Sequence, residues 1–139
     1  FPILLNAGVN VGNYVLVDDV AEGHRLAMEQ GRVGERYLLG GENVSLKRFF
    51  RMIDEVTGDR HFQIPIFRPG ALLFSWLQLK RAQWFGVYPT ITPGWVRTFL
   101  ADWSFSSAKA ERELGYRPTC LHDGLARTVT WIRQIRRAS

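Results

Sequence analysis

The first 44 residues constrain the fold most, because they predict two strands and a helix with no further strand beside them. Residues 13–17 (NYVLV) and 35–39 (ERYLL) are rich in the β-branched, aromatic and leucine side chains typical of strands. Between them, Asp19 and Glu22 have the spacing of an N-terminal capping box, and Gly31 is placed to end a helix. A strand–helix–strand unit builds parallel sheets. Two strands alone do not make a stable sheet, so we expect the others to come from further polypeptide or from a partner.

After residue 44 the pattern predicts mostly helices. Their starts are marked by serine, threonine or proline and their ends by glycine or proline. The predicted elements are a helix from Ser45 to Gly58, an edge strand over 62–66, and helices from Pro69 to Phe85, Thr92 to Ala101, Ser106 or Ser107 to Gly115, and Leu121 to Arg136. We therefore expect an α/β chain in two parts, with strand–helix–strand elements over 1–44 and a mostly helical region over 45–139.

Charge is divided unevenly along the chain. Residues 1–44 carry a net charge of −3, whereas residues 45–103 and 104–139 each carry +4. A positive surface suits nucleic acid, an anionic membrane face or a phosphate-bearing molecule, but it is also typical of solvated arginine-rich helix faces. No stretch has the run of basic residues expected of a nucleic-acid-binding arm, so we predict no nucleic-acid partner.

The sequence predicts no membrane-spanning segment and no intramolecular disulfide. The longest apolar run, residues 71–79, is about half the roughly 20 residues that a spanning helix needs. Cys120 is the single cysteine, which is compatible with a reducing compartment and favours the cytoplasm. The chain opens on Phe1 without a methionine or a signal sequence, so we expect it to lie within a longer reading frame.

Motifs for cofactor, metal or nucleophile chemistry are missing. The two glycine pairs, Gly8 with Gly12 and Gly40 with Gly41, lack the three-glycine spacing of a dinucleotide-binding turn. The three histidines are far apart and Cys120 has no partner at metal-ligand spacing. Asp18 and Asp19 are adjacent at a helix start and do not face each other. We therefore predict no metal site and no catalytic or cofactor-binding residue in this chain.

Aromatic residues cluster in the second half of the chain. Four of the five tryptophans lie within 28 residues, together with Phe74, Phe85, Tyr88, Phe99 and Phe105. Such a cluster is suited to filling a small helical core, to lining an apolar ligand pocket, or to forming an interface or a membrane-surface contact. All three interpretations stay open at this point.

Three segments, taken in order, resemble a known family. They are residues 17–24 (VDDVAEGH), 34–43 (GERYLLGGEN) and 106–118 (SSAKAERELGYRP). They are similar to the C-terminal part of extended short-chain dehydrogenases/reductases, and most similar to the NAD-dependent epimerase/dehydratase and dihydroflavonol-reductase-like branch. The resemblance covers residues 6–135.

The resemblance implies that the chain is the edge of a Rossmann-type parallel sheet followed by a mostly helical substrate-binding cap, a C-terminal fragment of an oxidoreductase or epimerase. The family binds NAD or NADP on an upstream glycine-rich turn and uses a Tyr-x-x-x-Lys pair. No tyrosine here has a lysine four residues later. We therefore expect this chain alone to bind no cofactor and to be inactive, with the upstream half of the same protein as its partner.

The sequence departs from the nucleotide-sugar epimerases of the family. Those enzymes commonly place an arginine before the strand that leads into Val-Asp-Asp, where this chain has 12–15 (GNYV), and a histidine where it has Leu16. Both departures favour a less charged, more apolar substrate. On this resemblance we predict Asn13 and Tyr14 near the substrate pocket and Trp84 and Tyr88 as cap residues.

A second hypothesis is a stand-alone helical binding module that uses its aromatic cluster for a partner. A third is a binder of nucleic acid or membrane surfaces that uses the arginine-rich last helix. Without the upstream strands, the strand over 13–17 and the early helix lack cover. We therefore expect self-association, or poor order in the first forty residues.

Overall fold

The computed structural model describes residues 3–60, 64–89 and 91–138. Its strands are β1 (Ile3–Leu5), β2 (Val11–Tyr14), β3 (Glu42–Ser45) and β4 (Ile64–Ile66). Its α-helices are α1 (Val17–Gln30), α2 (Leu46–Thr57), α3 (Arg68–Phe85), α4 (Pro93–Phe99), α5 (Ala108–Leu114) and α6 (Leu121–Ala138). Within the described ranges, no helix combines the length and the hydropathy needed to cross a bilayer.

Strand pairing differs from the predicted parallel unit. β1 pairs in parallel with β4, and β2 pairs antiparallel with β3, so that Val11 lies opposite Ser45 and Tyr14 opposite Glu42. The predicted strand over 35–39 is not a strand, because a strand needs a ladder partner and none is present among the described residues. The edge strand predicted over 62–66 is confirmed at its end as β4, whereas residues 62 and 63 lie outside the described residues.

The start of α1 also differs from prediction. The helix begins at Val17, its N-cap Leu16 makes no side-chain cap, and Asp19 lies inside the first turn. The Asp19 carboxylate instead accepts hydrogen bonds from the backbone N–H of Thr119 at 2.7 Å and from its hydroxyl at 2.8 Å. The predicted capping box is therefore wrong, because Asp19 joins α1 to the segment before α6.

Two other predicted helix starts and three predicted helix ends are confirmed. Ser45 accepts a hydrogen bond from the N–H of Arg48, and Thr92 accepts one from the N–H of Trp95, each at 3.3 Å. Three predicted terminal glycines adopt the left-handed conformation that favours glycine after a helix: Gly58 at φ 77°, Gly86 at φ 63° and Gly115 at φ 68°. These ends depend only on nearby residues, which is why the sequence predicts them.

The best-buried core lies where the segments that carry the family resemblance meet. Ala110, Leu114 and Tyr116 are almost fully buried. Half-buried residues from α1 and the following loop pack against them: Leu26, Ala27, Tyr37 and Leu39. This core packs α1 against α5.

Candidate substrate-binding site

Asn13 on β2 holds the loop that leads into β3. Its side-chain oxygen accepts the N–H of Gly41 at 3.0 Å, and its side-chain nitrogen donates to the Gly41 carbonyl at 3.1 Å and to Asn43 Oδ1 at 2.8 Å. The side-chain amide therefore pairs with both backbone groups of Gly41, as a residue of a neighbouring strand would. Asn13 fixes the backbone beside the candidate site.

Ser107 makes a matching pair with the neighbouring glycine. Its hydroxyl accepts the Gly40 N–H and donates to the Gly40 carbonyl, both at 2.9 Å. Both residues are buried. A Cβ on Gly40 would lie 2.5 Å from Asn13 Oδ1, and one on Gly41 would lie 2.2 Å from the Tyr14 carbonyl oxygen. The loop at Gly40 and Gly41 lies so close to β2 that both positions require glycine.

The segment from Leu100 to Ser107 is bonded along β2 and β3. Trp103 donates its backbone N–H to the Val11 carbonyl at 2.8 Å. Phe105 donates its N–H to Asn43 Oδ1 at 3.1 Å, and its carbonyl accepts from Asn43 Nδ2 at 2.8 Å. These bonds place two aromatic side chains beside β2.

Two cavities share Asn13 and Tyr14 as lining residues. The first, the β2 cavity, has a volume of about 340 Å³ and lies between β2 and the segment over 98–105. The second, the α6 cavity, has a volume of about 320 Å³ and is lined by Phe49 of α2 and by Leu121, Leu125 and other residues before and within α6. Tyr14 lines both cavities and stacks on Phe49 with ring centroids 4.1 Å apart.

The β2 cavity is apolar and without formal charge. None of its lining residues is Asp, Glu, Lys, Arg or His, and its walls include Phe99, Trp103 and Phe105. Its polar side chains are already bonded: that of Asn10 to the Leu100 carbonyl, and that of Thr98 to the Gly94 carbonyl. A molecule in this cavity would therefore meet apolar surface and aromatic rings, and no charged side chain.

The Tyr14 hydroxyl is the polar group left for a ligand. It makes no hydrogen bond within the described residues, and it lies about 3.0 Å from where a Cβ on Gly12 would stand. Burial raises the pKa of this half-buried phenol, so the group stays a neutral donor and acceptor near pH 7.

The other two predicted site residues lie elsewhere. Trp84 near the end of α3 and Tyr88 after it are 79% and 92% exposed, and they line neither of the two cavities.

Three lining residues of the β2 cavity were not singled out from the sequence: Phe99, Trp103 and Phe105. All three belong to the aromatic cluster seen in the sequence. Their position beside β2 depends on contacts between residues about 90 positions apart in the chain, which the sequence does not reveal. The four clustered tryptophans are 48% to 79% exposed, so they do not fill a helical core.

The glycine pairs do not fit a dinucleotide. A bound pyrophosphate needs free backbone N–H groups and open space at glycine. Here the Gly40 and Gly41 amides already donate to Ser107 and Asn13, and a Cβ on Gly8 would lie 3.0 Å from Lys47 N. Among the described residues, no group of three or more His, Cys, Asp or Glu is arranged to hold a metal ion.

A comparison with protein-family models gives no match. Among curated proteins, the chain is 30% identical over 138 residues to a protein of Synechocystis sp. assigned as a dihydroflavonol 4-reductase. That alignment covers 95% of this chain and 39% of the relative.

Solved structures show the same relationship. The chain matches the crystal structure of gox2253 with 35% identity and a TM-score of 0.77, over 96% of this chain and 40% of that one. It matches DesIV, the dTDP-glucose 4,6-dehydratase of Streptomyces venezuelae solved with NAD, with 28% identity and a TM-score of 0.63, over 96% of this chain and 34% of that one. The chain thus spans about two fifths or less of the length of these proteins.

The expected resemblance and the α/β fold class are therefore confirmed. This chain matches the C-terminal portion of NAD-dependent epimerase/dehydratase and dihydroflavonol-reductase-like enzymes with a Rossmann-type fold.

Proposed function

We propose that this chain forms the substrate side of an NAD(P)-dependent oxidoreductase or epimerase whose cofactor half is encoded upstream. The observation that carries the proposal is the uncharged β2 cavity, held in place by the Asn13, Asn43 and Ser107 hydrogen bonds within an enzyme-like fold. We propose that residues 1–44 complete the cofactor domain and that residues 45–139 form most of the cap. The free, exposed thiol of Cys120 favours a cytoplasmic location.

The substrate proposed for this site is small, neutral and largely apolar. No cationic side chain lines either of the two cavities. The phosphates of a nucleoside diphosphate would therefore lose their hydration there without forming an ion pair with the protein. Tyr14 is proposed to bind the substrate through its hydroxyl, and Asn13 to line the pocket while fixing its wall. Trp84 and Tyr88 are proposed as cap residues. Both side chains are largely exposed, at the end of α3 and just after it, and are therefore free to contact a ligand.

NAD or NADP would supply or accept the hydride in the whole enzyme. The glycine pairs of this chain do not fit the pyrophosphate of that cofactor, so the role proposed for this chain is to bind and orient the substrate. In isolation, residues 1–139 are expected to be inactive.

An activity assay of two polypeptides tests the proposal. Residues 1–139 and the same chain extended upstream through the reading frame would be incubated with NADH or NADPH and small apolar carbonyl compounds. We expect cofactor oxidation only with the extended polypeptide. Turnover by residues 1–139 alone would contradict the division of roles.

A pair of fluorescent probes tests the chemistry of the cavity. N-phenylnaphthylamine and anilinonaphthalenesulfonate share one ring skeleton, but the second carries a sulfonate. We expect residues 1–139 to bind the neutral probe more tightly, and Trp103→Ala to weaken that binding about tenfold. Trp76→Ala is the matched control, since Trp76 and Trp103 are exposed to 50% and 49%. Equal loss in both variants, or preference for the sulfonate, would contradict the proposed pocket.

The alternative is a stand-alone helical binding module that uses its aromatic residues for a partner. The exposure of Trp84, Phe85 and Tyr88 favours it. A start codon in frame immediately before Phe1, together with no cofactor-binding turn upstream, would support the module and exclude the enzyme fragment.

A further inference from the structure

Tyr14 lies at the boundary between the β2 cavity and the α6 cavity. Among the described residues, only Asn13 and Tyr14 line both cavities. The Asn13 amide is bonded to Gly41 and Asn43, whereas the Tyr14 ring reaches from β2 to a side chain of α2. The ring is therefore the group that can separate the two cavities.

The Tyr14 ring is held between one lining residue of each cavity. Gly12 and Tyr14 are two residues apart on β2 and share a face of the strand. A Cβ on Gly12 would lie 3.0 Å from the Tyr14 hydroxyl oxygen and 3.1 Å from two ring carbons, so the outer edge of the ring covers Gly12 in the β2 cavity. The ring also stacks on Phe49 of the α6 cavity, with centroids 4.1 Å apart and planes at 10°. Phe49 in turn meets the edge of Phe50 at 5.9 Å.

The α6 cavity has the same chemistry as the β2 cavity. None of its lining residues is Asp, Glu, Lys, Arg or His. Its two threonine hydroxyls are already bonded, that of Thr119 to Asp19 and that of Thr128 to the Gly124 carbonyl, both at 2.8 Å. A neutral apolar molecule therefore suits both cavities, and a ring, not a change of charge, divides them.

Each cavity alone is small. Their volumes are about 340 and 320 Å³, whereas ligand pockets in proteins range from about 300 to 1,000 Å³. A molecule that fills the β2 cavity is therefore compact, and a longer one needs the space beyond Tyr14. Both linings are made of residues of this chain, so further polypeptide is not needed to form either cavity.

We propose that the Tyr14 ring determines specificity by limiting the length of the substrate. The ring confines a neutral, apolar substrate to the β2 cavity, while its hydroxyl above Gly12 remains able to bond the polar group of that substrate. Without the ring the two cavities become continuous, and an apolar tail reaches Leu121 and Leu125. This inference rests on the proposed function, because it takes the β2 cavity as the substrate site.

Two neutral fluorescent probes of different length test the wall. The propionyl and hexanoyl derivatives of dimethylaminonaphthalene share one fluorophore and differ by three methylene groups. We expect residues 1–139 to bind both with dissociation constants within about threefold, because the added methylenes find no space. Tyr14→Ala should bind the hexanoyl probe about tenfold or more tightly than the propionyl probe, since each buried methylene adds about fourfold. Because the ratio is taken within one variant, a general loss of stability affects both probes alike.

Further variants separate the ring from the hydroxyl and from the fold. Tyr14→Phe keeps the ring and should keep the ratio of the parent chain. Tyr14→Leu keeps apolar packing on Phe49 but is shorter than the ring, so it should also favour the hexanoyl probe. Tyr14→Ala/Thr128→Phe places a ring in the α6 cavity and should abolish that preference. Phe74→Ala is the control outside both cavities, since Phe74 lies on α3 and is 51% exposed, and it should bind like the parent chain.

An unchanged ratio in both Tyr14→Ala and Tyr14→Leu would overturn the wall, and so would a hexanoyl preference in Phe74→Ala or one that survives Thr128→Phe. The same ratios are expected in the upstream-extended polypeptide, and their absence there would also overturn it. Turnover by the extended polypeptide with unchanged ratios would leave the proposed function standing and remove only the wall. Changed ratios without turnover would support the wall and count against the enzyme role.

Discussion

Two regions of this chain are assembled in different ways. In the first, made of α1, β2, β3 and α5 with their connecting segments, side chains bond to backbone groups far away in sequence. Ser107 holds Gly40 and Asn13 holds Gly41. In the second, made of α3 and α4, Ser75 and Val96 are buried, whereas many of the largest side chains, such as Trp84, are exposed. We call these the clasped region and the α3–α4 region.

The difference indicates where each region obtains its stability. The clasped region contains a cluster of buried side chains, Ala110, Leu114 and Tyr116, against which four half-buried side chains pack. The α3–α4 region leaves large apolar side chains such as Leu73 and Trp84 exposed to water, where they contribute little to its stability. Substitutions of the same type should therefore have unequal effects in the two regions.

A leucine in each region gives the largest expected contrast. Leu114 is 1% exposed and Leu73 is 60% exposed. Leu114→Ala should lower the free energy of unfolding by about 2–5 kcal/mol because it leaves a cavity, whereas Leu73→Ala should change it by about 0.5 kcal/mol or less. Urea unfolding followed by circular dichroism measures both. Equal effects would remove the distinction between the regions.

Two glycines give the next contrast. A Cβ at position 41 meets the Tyr14 carbonyl oxygen at 2.2 Å, but one at position 70 in α3 meets nothing closer than 3.9 Å. Gly41→Ala should therefore cost about 1–3 kcal/mol through overpacking. Gly70→Ala should be neutral or should stabilise by up to about 1 kcal/mol, because alanine favours the helix. Thermal unfolding of the two variants distinguishes them, and a stable Gly41→Ala would show that the close contact is not needed.

Neighbouring serines sharpen the comparison within the clasped region. Ser107→Ala leaves the buried Gly40 N–H and carbonyl without this partner and should cost about 1–3 kcal/mol. Ser106 is exposed and only accepts the Ala108 N–H at 3.4 Å, so Ser106→Ala should cost about 0.5 kcal/mol or less. Hydrogen exchange at the Gly40 amide should quicken in the first variant only. If exchange is unchanged in Ser107→Ala, the two hydrogen bonds between Ser107 and Gly40 do not hold the loop.

The buried phenol of Tyr116 and the half-buried phenol of Tyr14 give the smallest effect. Burial raises the pKa of Tyr14 and of Tyr116, and the Tyr116 hydroxyl has no hydrogen-bond partner among the described residues. Their contribution to stability is therefore complete below about pH 10, the pKa of a free tyrosine, and is lost as pH rises through the folded-state values. Tyr116→Phe should be neutral or stabilise by up to about 1 kcal/mol at pH 7 and should flatten the alkaline decline in melting temperature. A clear loss of stability at pH 7 would show that the hydroxyl has a partner.

Sequence alone predicted several features that depend on nearby residues, although the capping box of Asp19 and Glu22 was wrong. The caps at Ser45 and Thr92 and the helix-ending glycines at 58, 86 and 115 each need only a few neighbours, and all are confirmed. The three segments of the family resemblance were also recognisable without contacts. Local chemistry therefore fixed most helix positions.

Pairings across the chain were not predictable in this way. The antiparallel register of β2 with β3, and the bond from Asp19 to Thr119 across 100 residues, depend on which segments meet in three dimensions. For the candidate site, Asn13 and Tyr14 were predicted and do line the two cavities, but Trp103 and Phe105 required the fold to bring them to β2. The roles of Trp84 and Tyr88 as cap residues remain predictions.

Cofactor binding tests the central claim most directly, namely that this chain supplies the substrate side and not the nucleotide side. NADH and NADPH fluorescence would be followed while residues 1–139 and an upstream-extended polypeptide are titrated into the cofactor. The account predicts no saturable signal with residues 1–139 and stoichiometric binding by the extended polypeptide. Stoichiometric binding of either nucleotide by residues 1–139 alone would contradict it.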